Sequence, residues 1–282
     1  MKPRDLAAKV LEVVDAGLVH GKGNPVPGQM CVEAAVCFAM GLPHGDDPEC
    51  VSRPLRELKI RLNDSAWSST AARAKGLRRL AVAQLGSREV LDDSEFVRRV
   101  VDLAIRKWTP AALRSAASVH PNPKHQAALI AAAEECERSG TKNAAYAAAA
   151  AANAAAYAAR AVANADAAAA YAAAAAANAA ARAVANADAA AAYAAAAAAN
   201  AAARAVANAD AAAANAADAA AADAAAAAAN AAAAANAADA AVAYDKALAD
   251  FAEDVVQVLI EMEAPGCVWL GLTEAVAKAE PR

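Results

Sequence analysis

Aromatic and cysteine side chains are scarce in this chain of 282 residues. Phe, Trp and Tyr together make up 4% of it, and its five cysteines are scattered without the spacing of a disulfide framework. An odd number of dispersed cysteines is typical of free thiols in a reducing compartment. The composition therefore excludes a small disulfide-bonded secreted protein and favours a cytoplasmic one.

Long runs of strongly apolar residues are also lacking, although 60% of the chain counts as hydrophobic. Alanine supplies 73 of the 100 residues from Asn143 to Val242, and Asn, Asp or Arg interrupts it every few positions. Alanine carries a single methyl group and is nearly neutral for insertion into a bilayer. Charges within the first five residues, followed by Glu12 and Asp15, leave no apolar core for a signal peptide. We expect a soluble protein without a membrane segment.

Residues 1–140 have the pattern of a compact, all-helical head. Apolar residues recur at helical spacing, and Ser, Thr, Pro or Gly marks the ends of each segment. No segment alternates apolar and polar residues in the way a half-buried strand does. About seven helices are predicted, beginning near Pro3, Gln29, Ser52, Ser69, Ser94, Thr109 and Pro123.

The composition changes abruptly at residues 141–242, which form an alanine-rich module with a 22-residue repeat. The residues that recur at this period are Arg160, Arg182 and Arg204; Val162, Val184 and Val206; Asn164, Asn186 and Asn208; Asp166, Asp188 and Asp210; Tyr171 and Tyr193; and Asn178 and Asn200. Twenty-two residues in six turns correspond to about 3.67 residues per turn, the period of a nearly straight helix. Each unit then has a narrow polar stripe and a wide alanine surface.

Two arrangements of this module remain open. An unbroken helix from Asn143 to Met262 would reach about 180 Å, or it would fold once upon itself. Alternatively, each Asn-Ala-Asp ends one helix and caps the next, which gives a stack of short helices. The tail, residues 243–282, has the pattern of amphipathic helices that either dock on the head or cap the far end of the module.

One segment of the head has features of a nucleophilic site. Gly28-Gln29-Met30-Cys31 leads into a helix and resembles the nucleophile turn of papain-like and transglutaminase-like enzymes, in which the helix N-terminus activates the thiol. In this alternative Cys31 is the nucleophile of a hydrolase or transferase. Its base is His44, with His20 and His120 as further candidates, and Asp46 or Asp47 would orient the base. No sheet is predicted to carry a histidine as those families do, and a buried cysteine explains the same residues.

A metal site is not predicted. Cys31, Cys37, His44 and Cys50 do not match a known zinc-ligand spacing. No cofactor motif is present either.

Basic residues concentrate between residues 53 and 88. A nucleic-acid interface is one alternative, because a cationic helical face suits phosphate groups. Its predicted residues are Arg56, Lys59, Lys75, Arg78 and Arg79. The other explanation is that these charges pair with the acidic parts of the chain, since the tail contains three basic and eight acidic residues.

Two segments carry a wider resemblance, MCVEAAVCFAMGLPHGDDP at residues 30–48 and KIRLNDSAWSSTAARAKGLRRLAVAQLGS at residues 59–87. With the alanine module behind them, they resemble uncharacterised bacterial and phage proteins in which a helical head precedes alanine tracts interrupted by Tyr, Asn, Asp and Arg. This resemblance implies an all-α organisation and no particular activity.

The sequence favours a structural or interaction protein over an enzyme. A third of the chain does little but present alanine faces, and no set of catalytic residues is complete. Alanine faces allow helix axes to approach more closely than the usual ~8–10 Å, which favours packing against a second copy or a helical partner.

Two deletions can test whether the 22-residue period of the module matters for its packing. Deleting Tyr171–Ala192 removes one 22-residue unit and rejoins identical helical phases, so we expect a small loss of melting temperature, as in modular repeats. Deleting the 20 residues Tyr171–Ala190 removes about 5.45 turns and rotates the polar stripe by almost half a turn. Unpaired Arg and Asn then replace packed alanine, which costs several kcal/mol. Thermal unfolding followed by circular dichroism compares the two deletions, and equal damage would contradict a packed 22-residue periodicity.

Overall fold

The computed structural model describes residues 1–120, 122–159 and 226–274. The protein is all-α in these ranges, as predicted, with two isolated β-bridges at Met30 and no strand. The repeats and the Asn-Ala-Asp positions between residues 160 and 225 lie outside the described residues. The helices are α1 (Pro3–Asp15), α2 (Val32–Met40), α3 (Arg53–Asn63), α4 (Thr70–Ala83), α5 (Asp93–Leu103), α6 (Thr109–Val119), α7 (Pro123–Ser139), α8 (Lys142–Ala159) and α9 (Ala226–Glu261).

Local signals account for most helix ends. The Ser69 hydroxyl caps α4 by accepting a hydrogen bond from the Ala72 amide at 3.0 Å. Gly41 and Gly140 end α2 and α7 with left-handed backbone at φ 74° and 61°, which glycine adopts without a steric penalty. Cys31 caps α2, so this helix begins at Val32, slightly later than predicted.

The predicted cap at Thr109 is wrong, because the helical path continues through it. A π-helical turn, Ala104–Trp108, joins α5 to α6, and Pro110 lies in the first turn of α6. A proline ring clashes with the carbonyl four residues earlier and cannot donate a hydrogen bond, so a regular α-helical turn does not fit here. The wider turn accommodates the proline without ending the helix.

The predicted Ser94 cap is replaced by Asp92. Its carboxylate accepts a hydrogen bond from the Glu95 amide at 3.0 Å, and α5 begins at Asp93.

The described residues fall into two compact units, 1–100 with 248–274 and 101–159 with 226–247. The predicted division at residues 140 and 242 stays a prediction. In the first unit α1 packs against α2 and α4, and α2 packs against α3. Aliphatic side chains fill this core; its fully buried members include Val10, Val14, Leu55, Leu58, Leu62, Leu77 and Leu80.

The C-terminal segment docks on the head, which is the first of the two predicted placements. A 3₁₀ helix, Pro265–Thr273, packs against α4 and α1. Gly266 lies so close to the carbonyl of Ala83 that a Cβ atom would come within 2.7 Å of it. Arg78 donates a hydrogen bond to the carbonyl of Thr273, and this bond fixes the end of the segment.

In the second unit α7 packs against both α6 and α8. Arg106, in the π-helical turn, donates hydrogen bonds to the carbonyls of Glu137, Arg138 and Ser139 at 2.6–3.1 Å. These carbonyls belong to the last turn of α7 and have no partner within that helix. A single guanidinium group therefore holds the C-terminal end of α7.

As far as Ala155, the buried face of α8 consists of alanine alone. Its members, all between 0% and 4% exposed, are Ala144, Ala145, Ala148, Ala149, Ala152 and Ala155. They face α7 and α6, so an alanine surface packs directly against neighbouring helices in this unit. Within the described residues, no helix is both long and apolar enough to cross a membrane.

The close packing around Gly76 predicts that Gly76→Ala destabilises the protein, although helix propensity alone favours alanine. Alanine normally favours a helix interior by about 1 kcal/mol over glycine. At Gly76, however, an added Cβ would come within 2.5 Å of the Trp67 ring and 3.3 Å of Ala249. The ring cannot move freely, because its Nε1 donates a hydrogen bond to the Leu62 carbonyl at 2.8 Å. We expect Gly76→Ala to lower the free energy of unfolding by about 1–3 kcal/mol in urea denaturation.

Gly271→Ala is the matched control, since no atom lies within 4 Å of its added Cβ. We expect a change within about 0.5 kcal/mol for this surface substitution. A Gly76→Ala variant as stable as the wild type would contradict the close packing at Trp67.

Candidate functional site

Cys31 is placed by the loop that precedes α2, and it acts as the N-cap of that helix. Its Sγ accepts a hydrogen bond from the Ala34 amide at 3.3 Å, the role that serine or aspartate usually has. The side chain is buried, with 4% exposure, and this burial raises the pKa of the thiol. An activated nucleophile needs a lowered pKa and access to solvent, so these features fit a structural cysteine better than a catalytic one.

His44 forms no hydrogen bond with Cys31. Its Nε2 donates to the carbonyl of Gly23 at 2.9 Å, and its buried Nδ1 has no hydrogen-bond partner among the described residues. A nucleophile and its base need to be within hydrogen-bonding reach of each other. The cysteine-enzyme alternative at Cys31 and His44 stays a prediction.

The most unusual group of side chains in the head is a fully buried ion pair between α2 and α3. Glu33 lies in the first turn of α2, and Lys59 lies in the second turn of α3. Both side chains are 0% exposed, and Nζ of Lys59 lies 3.2 Å from Oε1 of Glu33. Neither carboxylate oxygen nor the ammonium nitrogen has a well-aligned hydrogen bond within the part of the chain that is described.

Burial dominates the electrostatics of this pair. Desolvation raises the pKa of Glu33 to about 7 despite the nearby Lys59 charge, and desolvation lowers the pKa of Lys59. Cys31 and Cys50 also interact electrostatically with Lys59. Both thiols have raised pKa values because of burial, so they add no charge to the cluster near neutral pH.

The pattern of basic residues predicts Lys59 on a cationic surface, and it does not predict Glu33 as a site residue. The spacing contains a signal for Lys59, because it lies four residues after Leu55 and three before Leu62, in phase with the buried stripe of α3. Glu33 is the one charged residue of α2, in which every residue from Val32 to Cys37 is buried. A charge in such a buried helix requires a partner, so Glu33 was the sequence feature that indicated a buried ion pair.

Three other residues of the predicted nucleic-acid interface each bind an acidic side chain from a different part of the chain. Arg56 pairs with Asp47. Arg78 binds both carboxylate oxygens of Asp15, and Arg79 binds both carboxylate oxygens of Glu253.

Lys75 is exposed on α4. The alternative explanation, in which basic residues pair with acidic ones of the same chain, therefore accounts for Arg56, Lys59, Arg78 and Arg79. The nucleic-acid interface itself stays a prediction.

An open groove of about 400 Å³ lies in the second unit. It is lined by Arg114, Ala117, Ser118, Gln126 and Ile130. Its polar groups already have partners within the chain: Arg114 binds Glu137, Ser118 donates to the Ser115 carbonyl, and Gln126 donates to the His120 carbonyl. The groove therefore contains no polar group that is poised for chemistry.

Metal ligands do not cluster in residues 1–120, 122–159 and 226–274, where no group of three or more His, Cys, Asp or Glu side chains is arranged to hold an ion. All five cysteines are free thiols. Comparisons with protein families, with curated proteins and with solved structures find no match to this chain. A function must therefore be argued from its own residues.

The buried ion pair predicts strongly non-additive mutations. Lys59→Met leaves a buried carboxyl group without its cation, and Glu33→Leu leaves a buried amine without its anion. We expect each to lower the free energy of unfolding by about 3–5 kcal/mol. The double variant Glu33→Leu/Lys59→Met removes both charges and should cost less than either single change. Urea denaturation of the four proteins measures the coupling, and simple additivity would contradict the paired arrangement.

The two single variants should also respond to pH with opposite signs, taken relative to the double variant. In Lys59→Met the pKa of Glu33 is raised in the folded state, so stability is greatest in acid and is lost as the pH rises through that pKa. In Glu33→Leu the pKa of Lys59 is lowered, so stability is lost as the pH falls through it. Denaturation at pH 5.5, 7 and 9 measures both slopes, and slopes of the same sign would be inconsistent with two buried charges.

Proposed function

We propose that this protein is a structural interaction protein that associates with a second copy of itself through the alanine faces of its helices. The observation that carries this proposal is α8, in which every residue described as buried, from Ala144 to Ala155, is alanine and packs in the unit formed with α7 and α6. Alanine packing of this kind brings helix backbones close together and gains contact from many methyl groups at once.

The packed string of α8 recurs in the repeat module. Residues 146–153 read Tyr-Ala-Ala-Ala-Ala-Ala-Ala-Asn, and the same eight residues occur at 171–178 and 193–200. Within the first copy Ala148, Ala149 and Ala152 are buried. The chain thus contains three copies of a string that is able to pack against helices, and a long alanine helix alone in water buries little and frays. This supports a partner surface, either on a second copy or on another helical protein.

The two alternative functions have less support. Four of the five residues of the nucleic-acid alternative form ion pairs with acidic side chains of the same chain, which reduces the charge available to phosphate groups. The thiol of Cys31, in the enzyme alternative, is buried and has a raised pKa. Neither alternative explains why alanine is repeated over a third of the chain.

The α8 string supplies a matched pair of variants for testing self-association. Ala173 and Ala195 occupy the position in their strings that Ala148 has in α8, where it is buried. Ala172 and Ala194 correspond to Ala147, which is exposed. We expect Ala173→Glu/Ala195→Glu to weaken self-association by about tenfold or more, because a carboxylate would replace a packed methyl group.

Sedimentation velocity over a range of concentrations measures the association, and the control is Ala172→Glu/Ala194→Glu, with the same added charge. The control should associate like the wild type. A wild-type chain that sediments as a monomer at every concentration would contradict the proposal, and so would equal effects of the two double variants.

A further inference from the structure

His120 connects three elements of the second unit. It follows α6, it is 2% exposed, and the backbone amide of Asn122 donates a hydrogen bond to its Nδ1 at 3.1 Å. Its Nε2 lies 3.0 Å from the carbonyl oxygen of Ala155 in α8. One imidazole ring therefore joins the turn between α6 and α7 to the alanine helix that follows.

The two partners determine the protonation of this ring. A backbone amide can only donate, so Nδ1 must present its lone pair to Asn122. A carbonyl can only accept, so Nε2 must carry the hydrogen that faces Ala155. The ring is consequently the neutral tautomer with its hydrogen on Nε2.

We infer that His120 is a proton-sensitive latch that holds α8 against the α6–α7 turn. Adding a second proton to the ring places an N–H on Nδ1 directly opposite the N–H of Asn122. The two donors repel each other, and the bond to Asn122 is lost. The buried imidazolium then has one acceptor for two hydrogens, so protonation favours a state in which the turn and α8 separate.

Among the described residues, the elements around the ring provide no anion that would stabilise its charged form. On α7 the ring of His125 lies 5.1 Å from that of His120, centroid to centroid, and Lys124 precedes it. The charged residue of α6, Arg114, is bound to Glu137. As far as Ala155 the buried face of α8 is alanine. The titratable residues of this helix are Lys142 and Tyr146, two or more turns before Ala155, and Tyr157, two positions after it, and neither lysine nor tyrosine is an anion near neutral pH.

Two measurements on the full chain test the latch. Long-range ¹H–¹⁵N correlation spectra at pH 7.5 report the tautomer of the His120 ring without any substitution. The hydrogen is expected on Nε2; a ring with its hydrogen on Nδ1 overturns the inference.

Hydrogen exchange of the α8 amides, corrected for the intrinsic effect of pH on exchange, is then compared at pH 7.5 and pH 5.0. The wild type is expected to lose protection by about tenfold or more at the lower pH, a change that the uptake of one proton can produce. Unchanged protection overturns the inference.

Variants assign the effect to His120. His120→Gln keeps an amide N–H for the Ala155 carbonyl but cannot titrate, so its α8 protection is expected to be equal at the two pH values. His125→Gln should retain the wild-type loss. Loss of protection in His120→Gln, or its absence in His125→Gln, assigns the response to another group and overturns the inference. If His120→Gln does not fold, the wild-type spectra and exchange still decide.

Discussion

Two opposite charges that are completely removed from water constrain how the head can fold. Glu33 and Lys59 each carry a large desolvation cost, and each is tolerable only next to the other. The pair therefore fixes the distance and rotation of α2 relative to α3, because any other arrangement leaves a charge buried alone. An apolar contact would hold the two helices together as well, but it would accept more than one register.

Elsewhere in the described residues, the packing of apolar side chains holds the helices together. In the first unit large aliphatic side chains interdigitate, and specificity comes from their shapes. In α8, as far as Ala155, the buried side chains are single methyl groups, which have almost no shape. Register there depends on polar groups at the margins, such as the His120 ring, which contacts the Ala155 carbonyl. The alanine surface thus allows the helices to lie close together, and a few hydrogen bonds set their register.

How far the sequence predicts this structure depends on the range of the interaction. The Ser69 cap, the stops at Gly41 and Gly140 and the all-α class follow from residues within one or two turns, and they were predictable. The cap expected at Thr109 failed because proline inside a helix and proline at its start look alike in sequence.

The long-range pairs were harder still. Lys59 shares α3 with Arg56, yet one is fully buried and the other is not, and only the packing of α2 decides between them. The same holds for Arg78 and Arg79, whose partners lie at the two ends of the chain. Composition suggested that basic residues would pair with acidic ones, but it could not name the partners.

The π-helical turn between α5 and α6 has a consequence for reading this chain as a helical wheel. Its hydrogen bonds span one residue more than those of an α-helix, so the turn stores one additional residue. Each residue advances a helix by about 100°, and the side chains after Trp108 are therefore displaced by that angle from the frame set by α5. Residues 93–119 therefore follow two helical phases, which meet at this π-helical turn. A helical-wheel assignment of residues 93–119 therefore has to be restarted after Trp108.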